Sequence, residues 1–79
     1  MFLEELRKTS IACPSQWEGR LADGMTVHIS YRSGKLIMGY GLTLQKAMDN
    51  TFVIWRSKDP LAGMMGTAAM LRITGLSYG

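Results

Sequence analysis

His28 is the only histidine and Cys13 the only cysteine in 79 residues. A general acid–base pair needs an imidazole within hydrogen-bond reach of a carboxylate. The hairpin register derived below sets Glu18 opposite His28, so these two are the one such pair the sequence offers. A solvated cross-strand pair is the preferred reading of these two. Cys13 with His28 as base would make a nucleophile, yet a lone cysteine ahead of Pro14 reads as a packed thiol. An enzyme also needs a pocket and a second reacting group, and an open sheet face supplies neither. The chain is therefore read as non-enzymatic, with no catalytic residue. No two His, Cys or acidic residues show metal-ligand spacing. Gly39, Gly41, Gly63 and Gly66 form neither a phosphate loop nor a dinucleotide fingerprint, so no cofactor is expected. Gly39 and Gly41 suit a strand that bends or admits a close backbone approach.

The residues that could grip a partner are Arg20, Arg32, Lys35 and His28. All four fall on one polar face, with Thr26 and Ser30 between them. Arginine and lysine there can meet phosphates or an acidic protein surface. Met64, Met65 and Met70 form a second, softer patch suited to core packing or to an adaptable contact.

The elements that must position these residues lie in residues 17–41, WEGRLADGMTVHISYRSGKLIMGYG. Met25, Val27, Ile29 and Tyr31 alternate with Thr26, His28, Ser30 and Arg32, the period of a strand with one buried face. A two-residue Asp23-Gly24 loop would turn Glu18 and Arg20 onto the apolar face. A three-residue loop, Ala22-Asp23-Gly24, pairs Leu21 with Met25 and Trp17 with Ile29, and gives Gly24 the positive φ that loop needs. A one-residue slip flips every side chain, so the apolar pattern selects the longer loop. The Ser33-Gly34 turn then pairs Tyr31 with Leu36, Ile29 with Met38 and Val27 with Tyr40. The packed face holds Trp17, Leu21, Met25, Val27, Ile29, Tyr31, Leu36, Met38 and Tyr40. The other face holds Glu18, Arg20, Thr26, His28, Ser30, Arg32, Lys35 and, exceptionally, Ile37.

Around this meander the sequence predicts short elements. Residues 2–10 place Glu4 and Glu5 early and Arg7 and Lys8 late, the charge order of a helix dipole. Residues 11–16 read as a connector. Thr43 caps a helix over 44–50, with Leu44, Ala47 and Met48 on one face. Residues 51–57, TFVIWRS, form a strand. Asp59-Pro60 opens a helix carrying Leu61, Met64, Met65 and Ala68, weakened by Gly63 and Gly66. Residues 70–76 alternate as a last strand. The fold expected is a single α+β domain, 1–79, in the order α-β-β-β-α-β-α-β: a small, mainly antiparallel sheet with short helices on one face. A five-stranded barrel with a leading helix is the alternative.

An apolar share of 47% with 19% charged residues argues against disorder. A core this small sits near the lower limit of stability, so a partner or self-association would help. One cysteine excludes an intramolecular disulfide. The charged N-terminal turns are unlike a secretory signal, and no run is long and apolar enough to span a bilayer. A cytoplasmic location is the expectation. The net charge is +3, with no basic block, which permits nucleic acid as a partner without requiring it.

Cys13-Pro14-Ser15-Gln16-Trp17-Glu18-Gly19, followed by Asp23-Gly24 and by Val27, Ile29, Tyr31-Arg32, Gly34 and Leu36, resembles a pattern of small phage and bacterial reading frames. In size class the chain is similar to phage-encoded anti-CRISPR inhibitors. That resemblance implies a binding protein that acts by contact on a host protein or ribonucleoprotein complex. It transfers no site residue. The basic balance disfavours the DNA mimicry used by acidic inhibitors. A small basic nucleic-acid-binding domain is the alternative, and a homodimer is compatible with either.

Overall fold

A computed structural model describes residues 2–11, 14–59 and 61–78. Within these the chain runs β1 (Phe2–Ser10), β2 (Ser15–Leu21), β3 (Thr26–Arg32), β4 (Lys35–Gly41), α1 (Leu44–Asp49), β5 (Thr51–Arg56), α2 (Thr67–Thr74) and β6 (Ser77–Tyr78). The six strands form one sheet in the order β5-β4-β3-β2-β1-β6. All neighbours are antiparallel except the short β1–β6 pair. The α+β class and the largely antiparallel sheet are as expected. The element order differs at its first member.

The meander has the register that the apolar pattern selects. Trp17 pairs with Ile29, Glu18 with His28 and Arg20 with Thr26. Tyr31 pairs with Leu36, Ile29 with Met38 and Val27 with Tyr40. Gly24 has φ +91°, and the Asp23 carboxylate accepts from the Met25 N–H at 2.9 Å. Ser33 and Gly34 both have positive φ, as a two-residue hairpin turn of this twist requires. Trp17, Val27, Ile29 and Leu36 are fully buried, with Leu3, Met70 and Leu76 beside them.

Residues 2–10 are a strand, not a helix. Glu5 pairs with Arg20, and Arg7 with Glu18, while Leu3 and Leu6 turn to the core. Of the charges that would suit a helix dipole, Glu4, Glu5 and Arg7 are instead ion-pair partners of residues on β2. Two register shifts, between Leu3 and Glu5 and between Lys8 and Ser10, break the alternation, which hides the strand in the sequence. Lys8 falls on the core side, where its ammonium lies 5.2 Å from the Trp17 ring and donates to the Met65 carbonyl.

The C-terminal third is also shifted. Residues 61–66 are irregular, and the helix lies at Thr67–Thr74, where a strand over 70–76 was expected. Asp59 turns the chain rather than capping a helix, its carboxylate accepting from the Leu61 N–H at 2.9 Å. Pro60, the other half of the expected helix start, lies outside the described residues. The intervening segment ties across the sheet end: Ser15 N–H donates to the Gly63 carbonyl and Gly34 N–H to the Ala62 carbonyl. Gly66 is the N-cap of α2, and Gly75, with φ +76°, ends it. Once Gly66 starts the helix, Met70 falls on its inner face and is fully buried.

The two helices lie on opposite faces of the sheet, which corrects the expectation of one shared face. α2 covers the core side, where the Trp17 indole N–H donates to the Thr67 hydroxyl at 3.0 Å. α1 lies over Gly39 and Gly41 on the other side. A Cβ on Gly39 would collide with the Ala47 carbonyl oxygen, and one on Gly41 with the Ala47 nitrogen. The two glycines make a flat bed on which Ala47 is fully buried. Their role as a close-approach site is as expected.

Candidate interaction surface

The face opposite the core is built from residues that alternate out of it. Across β1, β2, β3 and β4 it reads in rows: Glu5, Arg20, Thr26, Gly41; then Arg7, Glu18, His28, Gly39; then Ser10, Gln16, Ser30, Ile37; and last Arg32 beside Lys35. β5 adds Val53 beside Ile37 and Arg56 beside Lys35. The face is therefore two regions of different electrostatic character.

At the β1–β2 end the charges satisfy one another. Arg20 donates to Glu5 at 2.8 Å and lies 3.9 Å from Glu4. Arg7 donates to Glu18. Glu5, Arg7, Glu18 and Arg20, with Thr26 and Leu44, line a cleft of about 350 Å³. An arginine held between two carboxylates presents little unbalanced charge to a ligand, and exposed pairs of this kind add little stability. Arg20 thus shares the face of Arg32 without joining it in a site. Arg20 pairs with Thr26, and the six residue steps of β3 from Thr26 to Arg32 place the two arginines roughly 20 Å apart, at about 3.3 Å per residue.

His28 sits mid-face, half-buried between Glu18 on β2 and Gly39 on β4, with α1 across the adjoining ground. Desolvation pushes its pKa below the ordinary value. Glu18 is engaged by Arg7, so the Glu18–His28 neighbours make no acid–base hydrogen bond. Cys13, the other candidate for this chemistry, lies outside the described residues. Among the described residues no group of three or more His, Cys, Asp or Glu could hold a metal ion.

The far end is different. Arg32, Lys35 and Arg56 stand in a row on three adjacent strands, all exposed. Among the described residues none of the three has an ion-pair partner. Like charges directly opposite on neighbouring strands destabilise a sheet, so this row costs the fold something. The sequence pattern identifies Arg32 and Lys35 and misses Arg56. A hairpin turn fixes β3 against β4, whereas α1 separates β4 from β5 and leaves their register unspecified. The signal available was a cation closing the apolar run of 52–55. Trp55 precedes Arg56 but faces the opposite, core side, its ring centroid 6.1 Å from that of Tyr31 and the residue partly exposed.

No family model matches the chain, and no curated protein or solved structure proves similar to it. Among the described residues no helix is long and apolar enough to cross a membrane.

Proposed function

We propose that the protein is a non-enzymatic binding module that grips an acidic partner surface through Arg32, Lys35 and Arg56. The observation that carries this reading is the row of three exposed cations on adjacent strands, without ion-pair partners among the described residues. Such a row is unfavourable for folding and favourable for steering and charge-assisted hydrogen bonds. The partner class is a host protein or ribonucleoprotein complex in the cytoplasm. An inhibitory role of phage or mobile-element origin rests on the sequence resemblance alone. His28 and Arg20 lie outside the contact: the first is partly covered, the second internally paired.

A nucleic-acid reading is the alternative, since the same three cations on adjacent strands could meet phosphates. Two measurements separate the readings. Arg32→Glu, Lys35→Glu and Arg56→Glu together should abolish retention of the proteins that the wild type captures from a host lysate. Equal retention by the triple variant overturns the proposal. Titration with random-sequence duplex and RNA should show only weak binding. A specific complex whose log–log salt slope is about −2 to −3, as three phosphate contacts give, would establish the alternative.

A further inference from the structure

β5 is an edge strand with few of the devices that keep an edge unpaired. All of Thr51–Arg56 is exposed or half-exposed, and residues 51–55 carry no charge or proline. Among the described residues β5 leaves Phe52 and Trp55 exposed on the core side and Val53 exposed on the other. Unpaired strands of this kind invite another strand. The opposite edge, β6, is only two residues long.

The sequence of residues 49–58, DNTFVIWRSK, indicates what the second strand is. Read against its own reverse, β5 sets Thr51 against Arg56, Phe52 against Trp55 and Val53 against Ile54; Asp49, the last residue of α1, stands just beyond one end of the strand and Lys58 just beyond the other, so an antiparallel second copy brings them near each other. A two-fold antiparallel pair demands this reciprocity. Strict alternation would defeat it, because Phe52 and Trp55 would then point to opposite faces. The bulge at Ile54 removes the conflict. Phe52 pairs with Met38 and Trp55 with Leu36, both on the core side, while Thr51 pairs with Gly39 and Arg56 with Lys35, both on the other. A bulge on an edge often guards against pairing, but here it brings each reciprocal aromatic pair onto one face. An all-acidic strand would meet Asp49 at one end, whereas a second copy meets opposite charge at both.

We infer that β5 pairs antiparallel with β5 of a second copy of this chain, forming a two-fold dimer with one continuous sheet. The inference goes beyond the proposed contact surface and does not depend on it: the pairing places Arg56 beside Thr51 of the second copy, and its charge test uses Asp49 and Lys58, which the contact row does not include. It would also extend the small core, at the edge where hydrophobic residues are now exposed.

Sedimentation velocity of the full chain, from micromolar to several hundred micromolar, should show a monomer–dimer equilibrium. Lys58→Glu turns two inter-copy ion pairs into two repulsions, and so does Asp49→Lys. Each should raise the dimer dissociation constant about tenfold, and the double variant should return it to within about threefold of wild type. Both side chains are exposed, so folding is not at stake. The length of β5 separates them within one chain, so rescue cannot be intramolecular. Val53→Asp, which crowds two carboxylates at the axis, should give a monomer with unchanged circular dichroism. A monomer at every concentration overturns the inference, as does a dimer insensitive to both single reversals or one not rescued by the double. A monomer that binds an acidic peptide along β5 would overturn it in favour of a foreign strand.

Discussion

Burial does more to His28 than its neighbours do. Glu18 stands opposite, but its carboxylate is taken by Arg7, so desolvation dominates and the imidazole pKa falls. The folded state then binds a proton less readily than the unfolded chain, whose histidine titrates near 6.5. Stability from this group is complete above about pH 6.5 and is lost as pH falls from there toward the folded pKa, with a limiting slope of about 1.4 kcal/mol per pH unit for one proton. Urea unfolding at pH 7.5 and pH 5.5 should show wild type losing stability on acidification. His28→Gln should lose less over the same interval. An identical loss in both proteins would mean that His28 is as well solvated folded as unfolded.

At the scale of elements, local signals were legible and non-local ones were not. The meander declares itself because hairpin turns and alternation are written within a few residues of each other. β1 is hidden because two bulges disrupt its period, and its charges imitate a helix dipole. Arg56 is missed because a helix separates β5 from its neighbour. α2 is displaced because Gly63 and Gly66 delay the helix until Thr67. Gly39 and Gly41 were readable as a close approach, and what approaches is α1. Gly39→Ala should therefore cost about 2 kcal/mol or more, since its methyl meets backbone that cannot yield without lifting the helix. Gly24→Ala is the control. Its Cβ would meet nothing within 4 Å, so only the strain at φ +91° remains, about 1 kcal/mol. Thermal unfolding of the two variants should rank Gly39→Ala clearly below Gly24→Ala. The reverse order would mean that α1 lifts off the sheet at little cost.

Over the whole molecule the charge is unevenly matched. One end of the open face carries paired ions, and the other carries Arg32, Lys35 and Arg56 side by side. A net charge of +3 then understates how positive that end is. If binding holds these cations together, folding should gain when the middle one is reversed. Lys35→Glu converts two cross-strand repulsions into two attractions. The gain should be a few tenths of a kcal/mol to about 1 kcal/mol at low salt, because the groups are exposed and solvent screens them. It should shrink as the Debye length falls from about 30 Å at 0.01 M to about 3 Å at 1 M salt. Urea midpoints at the two ionic strengths measure it. A stabilising, salt-sensitive substitution that also abolishes partner capture would separate what Lys35 does for binding from what it does for the fold. If Lys35→Glu instead lowers the midpoint at low salt, the row is no strain on the sheet, and the main argument for it as a binding surface is lost.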